Sequence, residues 1–186
     1  MKTYEAPHGD PEGEEELQTL TVEPVTPQNI QQLRATRKQF TKKNWRLYTN
    51  HDPILAETMR RGITHTPEPG ETGQRFYLIK LDGVTVGISN HTYYREGNRY
   101  CVRGGLIILD QYQRRGIATT YSHLSVRIAT DMGAQWFHGQ TRKHSPMHRV
   151  RHRQGWTTTE EFRHPHGERF VNIKKQLHPT PKKEET

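Results

Sequence analysis

The chain has 186 residues, with 28 Lys and Arg against 20 Asp and Glu for a formal net charge of +8, a single cysteine and 30% hydrophobic residues, and its mean hydropathy is −1.03. That length suits one domain with one core, and Cys101 alone excludes both an intrachain disulfide and a Cys-rich zinc site, which fits a reducing compartment. No apolar run approaches the roughly 18 residues of a membrane helix and the N-terminus lacks the apolar core of a signal peptide, so the chain is expected to be soluble and cytoplasmic.

In chain order, residues 1–18 read as a disordered acidic arm, because Glu5, Asp10, Glu12, Glu14, Glu15 and Glu16 stand among Pro7, Gly9, Pro11 and Gly13. Residues 19–177 read as one folded domain, and 178–186, rich in Pro, Lys and Glu, as a disordered tail. Residues 1–23 hold seven acids and one lysine, so the rest carries 27 basic and 13 acidic side chains, a charge of +14. A short strand is expected over Leu20–Val25, and Thr26-Pro27 then makes a cap followed by a first-turn proline. A helix follows over Gln28–Lys42, with Ile30, Leu33, Arg37 and Phe40 on one stripe. Trp45 and Tyr48 fall in a short linker, and Asp52-Pro53 starts a second helix containing Ile54, Leu55, Met59 and Ile63. Two prolines and two glycines make Thr64–Gly73 a loop.

Three strands are expected next, over Arg75–Leu81, Val84–Tyr94 and Tyr100–Leu109, joined by Asp82-Gly83 and Glu96-Gly97-Asn98 in antiparallel hairpins. Ile117, Tyr121, Leu124 and Ile128 recur at i, i+4, i+7 and i+11, the apolar stripe of a helix that Gly133 ends. A fifth strand follows over Ala134–Thr141. Ser145-Pro146 caps a fourth helix that runs to Gln154, and two strands, Trp156–Phe162 and Glu168–Gln176, close the domain.

The most informative stretch is Leu106-Ile107-Ile108-Leu109-Asp110-Gln111-Tyr112-Gln113-Arg114-Arg115-Gly116-Ile117-Ala118. An apolar strand enters a turn that opens a long amphipathic helix. The first amides of a helix have no intrahelical acceptor, and with the positive end of the macrodipole they make an anion site. The turn resembles the acyl-CoA loop of the GNAT superfamily of N-acetyltransferases, Gln/Arg-x-x-Gly-x-Gly/Ala after an apolar fourth strand, matched here by Gln113, Gly116 and Ala118. The element order from Thr19 to Leu177 also resembles that family, and Gly155-Trp156 stands where the family commonly has Gly-Phe.

The resemblance implies an α/β (α+β) GNAT fold: a mixed, mostly antiparallel sheet of about seven strands flanked by about four helices, with the fourth and fifth strands splayed around the co-substrate. It implies acetyl-CoA as acyl donor, with the amides of Arg114, Arg115, Gly116, Ile117 and Ala118 on the pyrophosphate and the backbone of Leu106, Ile107 and Ile108 paired with the pantetheine arm. A backbone amide at Ile107 or Ile108 would serve the acetyl carbonyl. The family's usual acid, a tyrosine four residues before the glycine of Gly-Phe, corresponds to Arg151, and residues 145–156 contain no tyrosine.

Histidines are the available substitutes, since they titrate near neutrality. His138 lies on the fifth strand, and His148 and His152 stand at i and i+4 on the fourth helix. No metal is expected, because His148 has no Glu beside it in a His-Glu-x-x-His arrangement and no sulfur is near. Residues 142–153 hold Arg142, Lys143, Arg149, Arg151 and Arg153 with no acid, a cluster suited to a phosphate of CoA or to an anionic acceptor. The function that follows is acetyl transfer from acetyl-CoA to a primary amine whose identity, like the oligomeric state, stays open. Two alternatives remain. One is a GNAT-like enzyme acting on nucleic acid, on aminoacyl-tRNA or as a Mom-type DNA base modifier, and the other is a catalytically silent GNAT-like binding module.

Overall fold

The computed structural model describes all residues except 14–15, 50–56, 59, 64, 164–166 and 179–186. The strands are β1 (Tyr4–His8), β2 (Gln18–Pro24), β3 (Gly73–Leu81), β4 (Val84–Glu96), β5 (Arg99–Ile108), β6 (Trp136–Arg142), β7 (Thr157–Arg163) and β8 (Arg169–Gln176). They form one open sheet in the order β1-β2-β3-β4-β5-β6-β8-β7. The helices are α1 (Ile30–Gln39), α2 (Lys42–Thr49), α3 (Ile117–Asp131) and α4 (Pro146–Arg153). Among the described residues no helix is long and apolar enough to cross a membrane.

The eighth strand is a correction. Residues 4–8 fall in the arm that composition marks as disordered, yet they pair antiparallel with β2 from Tyr4 opposite Val22 to His8 opposite Gln18. Alternation outweighs composition there: Tyr4 and His8 turn inward while Glu5 and Pro7 stay exposed, and an edge strand tolerates an outward proline. A second correction concerns Trp45 and Tyr48, which lie on α2 rather than in a linker. Thr41 caps that helix, its Oγ1 accepting the Asn44 N–H at 3.2 Å, and Trp45 stacks on Phe40 with centroids 6.1 Å apart. On α1 the inward stripe is Ile30, Leu33 and Thr36. Arg37 instead lies over the Trp45 ring at 5.3 Å, and Thr36 is accommodated by donating to the Gln32 carbonyl at 2.8 Å. Of the expected second helix, Ile54, Leu55 and Met59 lie outside the described residues, while 57, 58, 60 and 61 are helical.

Two compact units divide the chain. The first comprises 1–66, 74–91 and 105–124. Its core gathers Val25, Leu33, Phe40, Phe76, Leu78, Ile88, Ile107 and Leu109, and β4 contributes an unbroken buried run over residues 86–91, the pattern of a strand covered on both faces. Ile117, Tyr121 and Leu124 of the expected α3 stripe are 2%, 2% and 1% exposed, each worth about 1.5–3 kcal/mol on burial.

The second unit comprises 67–73, 92–104 and 125–186. Its core contains Tyr93, Tyr100, Val102, Phe137, Trp156, Val171, Ile173 and Leu177. The inward residues of β8, Val171 and Ile173, alternate with the less buried Asn172 and Lys174, as a strand with one covered face requires. In this unit β6 runs parallel to β5, as expected of strands joined by a crossover helix. The ladder covers only three steps, Cys101 opposite Trp136, Val102 opposite Phe137 and Arg103 opposite His138. Ser145 caps α4 as expected, its side chain accepting the His148 N–H at 3.1 Å with Pro146 in the first turn.

Candidate functional site

In the first unit the apolar strand β5 delivers the chain into the turn at residues 109–118. Ile107 and Ile108 are each 8% exposed, so their side chains anchor the strand in the core. A short 3-10 turn, Asp110–Tyr112, follows. The Gln113 side chain folds back along it, donating to the Ile108 carbonyl and to Asp110 Oδ1, both at 3.0 Å. Gln113 therefore braces the turn through its side chain. Asn44 of α2 donates to the same Asp110 oxygen at 2.6 Å.

Beyond Gln113 the backbone enters the left-handed region twice, at Arg114 (φ 62°) and Gly116 (φ 78°). Such alternation turns successive N–H groups toward a common side and forms an anion-binding nest. Thr119 and Thr120 N–H both bond the Gly116 carbonyl, at 2.9 and 3.2 Å. Among the described residues, the amides of Arg114, Arg115, Gly116, Ile117 and Ala118 take no backbone carbonyl. Five donors at the start of a 15-residue helix give a concave positive surface that suits a diphosphate. Gly116 has one neighbour within 4 Å of where a Cβ would stand, the Cε1 atom of His8 at 3.6 Å.

The first unit also holds a polar pair that sequence reasoning missed. Tyr48 Oη donates to Asn90 Oδ1 at 2.7 Å, and the pair lies against Gly105 of β5. A Cβ there would come 2.8 Å from Asn90 Oδ1 and 3.2 Å from Tyr48 Cε2. Gly105 is thus a position of close approach. Only a correct helical reading of Lys42–Thr49 brings Tyr48 to it.

In the second unit, an open hollow of about 510 Å³ is lined by Tyr94, Glu96, Arg99, Arg103, Trp136, His138 and Lys174, among others. His138, on the last step of the β5–β6 ladder, lies 2.5 Å from the Tyr94 hydroxyl through Nδ1. Burial holds the His138 imidazole below its usual range, with Lys174 and Arg103 adding to the effect against Glu96. Burial likewise raises the Tyr94 phenol, and Cys101 and Glu96 add to this against Arg103. Near neutral pH the pair is therefore a neutral imidazole and a protonated phenol sharing one hydrogen bond. Arg99 and Lys174 flank the Trp136 ring at 6.0 and 5.0 Å, and Arg103 lies over Tyr94 at 5.3 Å. Among the described residues none of these three cations meets a carboxylate in an ion pair, so with Glu96 the hollow carries a net charge of +2.

Glu96, Cys101 and His138 place three ligand-type atoms within 4.8 Å of one another. The donor set does not suit a divalent ion: burial raises the Cys101 thiol and keeps it protonated, Tyr94 occupies His138 Nδ1, and three cations surround the group.

His148 and His152 do not line the hollow. Their Nε2 atoms approach the single Thr158 hydroxyl at 3.3 and 3.2 Å, with the rings in edge contact at 4.8 Å, and His148 Nδ1 accepts the His144 N–H at 3.1 Å. The basic run 142–153 is acid-free only in sequence. Arg142 pairs with Glu168 at 2.8 Å and Lys143 with Glu161, while Arg151, at the position of the expected tyrosine, lies 4.2 Å over the Trp156 ring. Arg149 reaches the His144 carbonyl at 3.1 Å.

By sequence, no protein-family model and no curated protein matches the chain. By structure it is similar to the GNAT domain of PAT from S. lividans, with 15% identity over 86% of this chain and 91% of that one and a TM-score of 0.64. It is also similar to the spermidine N-acetyltransferase of Vibrio cholerae in complex with CoA and spermine (12% identity, 86% of this chain, 96% of that one, TM-score 0.63). A third is yncA of Salmonella typhimurium with its cofactor acetyl-CoA (14% identity, 88% of this chain, 98% of that one, TM-score 0.58). At this identity the likeness speaks to architecture, and with the strand order and the parallel pairing of β5 with β6 it establishes that the chain has the GNAT fold.

Proposed function

We propose that this protein is an acetyl-CoA-dependent N-acetyltransferase acting on a primary amine. The observation that carries the reading is the turn at Arg114–Ala118, where five amides without a backbone carbonyl and two left-handed residues open the helix that follows β5. Those residues fit a diphosphate ester, and Leu106, Ile107 and Ile108 supply the strand that would run along the pantetheine arm. Acetyl-CoA would contribute the activated thioester. The chain's own task is then to orient the amine, move its proton and return one to sulfur.

His138 and Tyr94 support that task. With Nδ1–H donating to the Tyr94 oxygen, Nε2 keeps a lone pair and accepts a proton; with Tyr94 O–H donating to Nδ1, Nε2 carries the proton and can give it up. The lowered imidazole range keeps His138 available as a base near neutral pH. Tyr94 thus offers a hydroxyl where the family's usual tyrosine position holds Arg151.

The net positive hollow in the second unit favours an acceptor that bears an anionic group as well as its amine, which extends to nucleic acid as a second reading. A polycation such as spermine would be repelled there. The test is calorimetry with CoA, followed by labelled acetyl-CoA offered to amino acids, polyamines, proteins, tRNA and DNA, with mass spectrometry of what acquires the label. CoA binding and label on an anionic amine support the proposal, label on polyamines alone overturns the acceptor class, and binding without transfer to any acceptor favours the silent binding module.

A further inference from the structure

We infer that His8 is a ligand for the diphosphate of the acyl donor, so that the N-terminal hairpin β1–β2 forms part of the donor site. The inference rests on the donor reading of the turn and adds a side chain from a strand outside the seven that the resemblance supplies. His8 is 7% exposed, although it lies at the end of an edge strand in an acidic, proline- and glycine-rich segment where a histidine would ordinarily face water.

The His8 ring is fixed on one side. Its Nδ1 is bonded to Thr120 Oγ1, on the first turn of α3, at 3.0 Å. Its Cε1 atom, between the two ring nitrogens, stands 3.6 Å from the position a Cβ would take at Gly116, so the imidazole edge faces the left-handed turn. Its other nitrogen, Nε2, has no hydrogen-bond partner among the described residues. A nine-tenths buried imidazole with one nitrogen tied to the helix, the other unpaired and the Cε1 edge between them set against Gly116 is arranged to donate to an anion held at that turn. The pairing of Tyr4–His8 with Gln18–Val22 gives the ring its position, which makes the hairpin a structural requirement of the site.

The experiment uses the full chain and three variants. His8→Asn keeps a polar atom near Nδ1 for Thr120 and removes the one at Nε2; His8→Gln reaches the Nε2 position; His8→Phe keeps the ring volume and serves if the Asn variant does not fold. Dissociation constants for CoA are measured by calorimetry, and inorganic pyrophosphate is titrated as a competitor. Loss of Nε2 in His8→Asn or His8→Phe is expected to weaken both CoA and pyrophosphate about 10- to 100-fold, the size of one hydrogen bond to a charged group, with His8→Gln recovering part of it. Unchanged CoA affinity in a folded His8→Asn or His8→Phe variant overturns the role of His8 while leaving the donor turn intact. A loss for CoA with pyrophosphate competition unchanged also overturns it, since the effect would then lie away from the diphosphate. Failure of the unaltered protein to bind either probe overturns the donor reading and this inference together.

Discussion

Gly87 on β4 offers a direct test of how tightly the strand leading to the donor turn is held. A Cβ added there would lie 2.6 Å from the Ile107 carbonyl oxygen and 2.6 Å from Ile108 Cδ1, both inside the 3.0 Å that Cβ atoms keep from their neighbours. The Ile108 side chain can turn away. The Ile107 carbonyl cannot move unless β5 shifts, and the strand is held at its end by the Leu109 N–H to the Val86 carbonyl at 2.9 Å. Overpacking costs about 1–3 kcal/mol and loss of that hydrogen bond about 1 kcal/mol, so Gly87→Ala should destabilise by about 2–4 kcal/mol. For a chain of this length that is a fall in Tm of roughly 5–15 °C. Urea unfolding followed by tryptophan fluorescence should show a lower midpoint at an unchanged slope, and CoA affinity should fall because Ile107 and Ile108 are displaced. Val84→Ala on the same strand, at a side chain 55% exposed, should stay within about 0.5 kcal/mol. A Gly87→Ala protein as stable as that control would refute the close approach of β4 to β5.

Leu124→Ala removes a side chain 1% exposed and should cost about 2–5 kcal/mol, read as a fall in the urea midpoint. Ser145→Ala loses the cap on the His148 N–H and should cost about 1 kcal/mol, measured the same way. His138→Ala should lower turnover by roughly 10²- to 10⁴-fold with CoA affinity kept. Because the neutral imidazole is the active form and its range is lowered by burial, the acid limb of kcat/KM should fall below pH 6.5, and a limb above that value would count against His138. In the folded state both His138 and His148 are held below the usual histidine value of 6.5. Above pH 6.5 both states leave them neutral, but as pH falls from 6.5 toward the lowered folded values the unfolded chain binds protons that the folded one does not, and stability declines. Urea midpoints at pH 7.5 and 5.5 should show that decline, with a smaller one in His148→Gln.

The local signals in the chain were enough to place most elements. The apolar stripe at Ile117, Tyr121, Leu124 and Ile128, the Asp82-Gly83 and Glu96-Gly97-Asn98 turns and the Ser145-Pro146 cap depend on neighbours within a turn or two, so their periodicity and turn chemistry are legible without the fold. The same holds for the glycine at position 116, whose left-handed backbone belongs to its own turn. What only the tertiary structure decided are the partnerships between residues far apart in sequence. Tyr94 meets His138, His8 reaches Thr120 and the Gly116 turn, and Arg142 and Lys143 find Glu168, just before β8, and Glu161 on β7, both beyond the helix they precede. Composition hid β1, because the acids that mark disorder lie partly on its outward face while Tyr4 and His8 bury the other. A strand's worth is set by the register it finds on a neighbour, and register is a property of two segments at once.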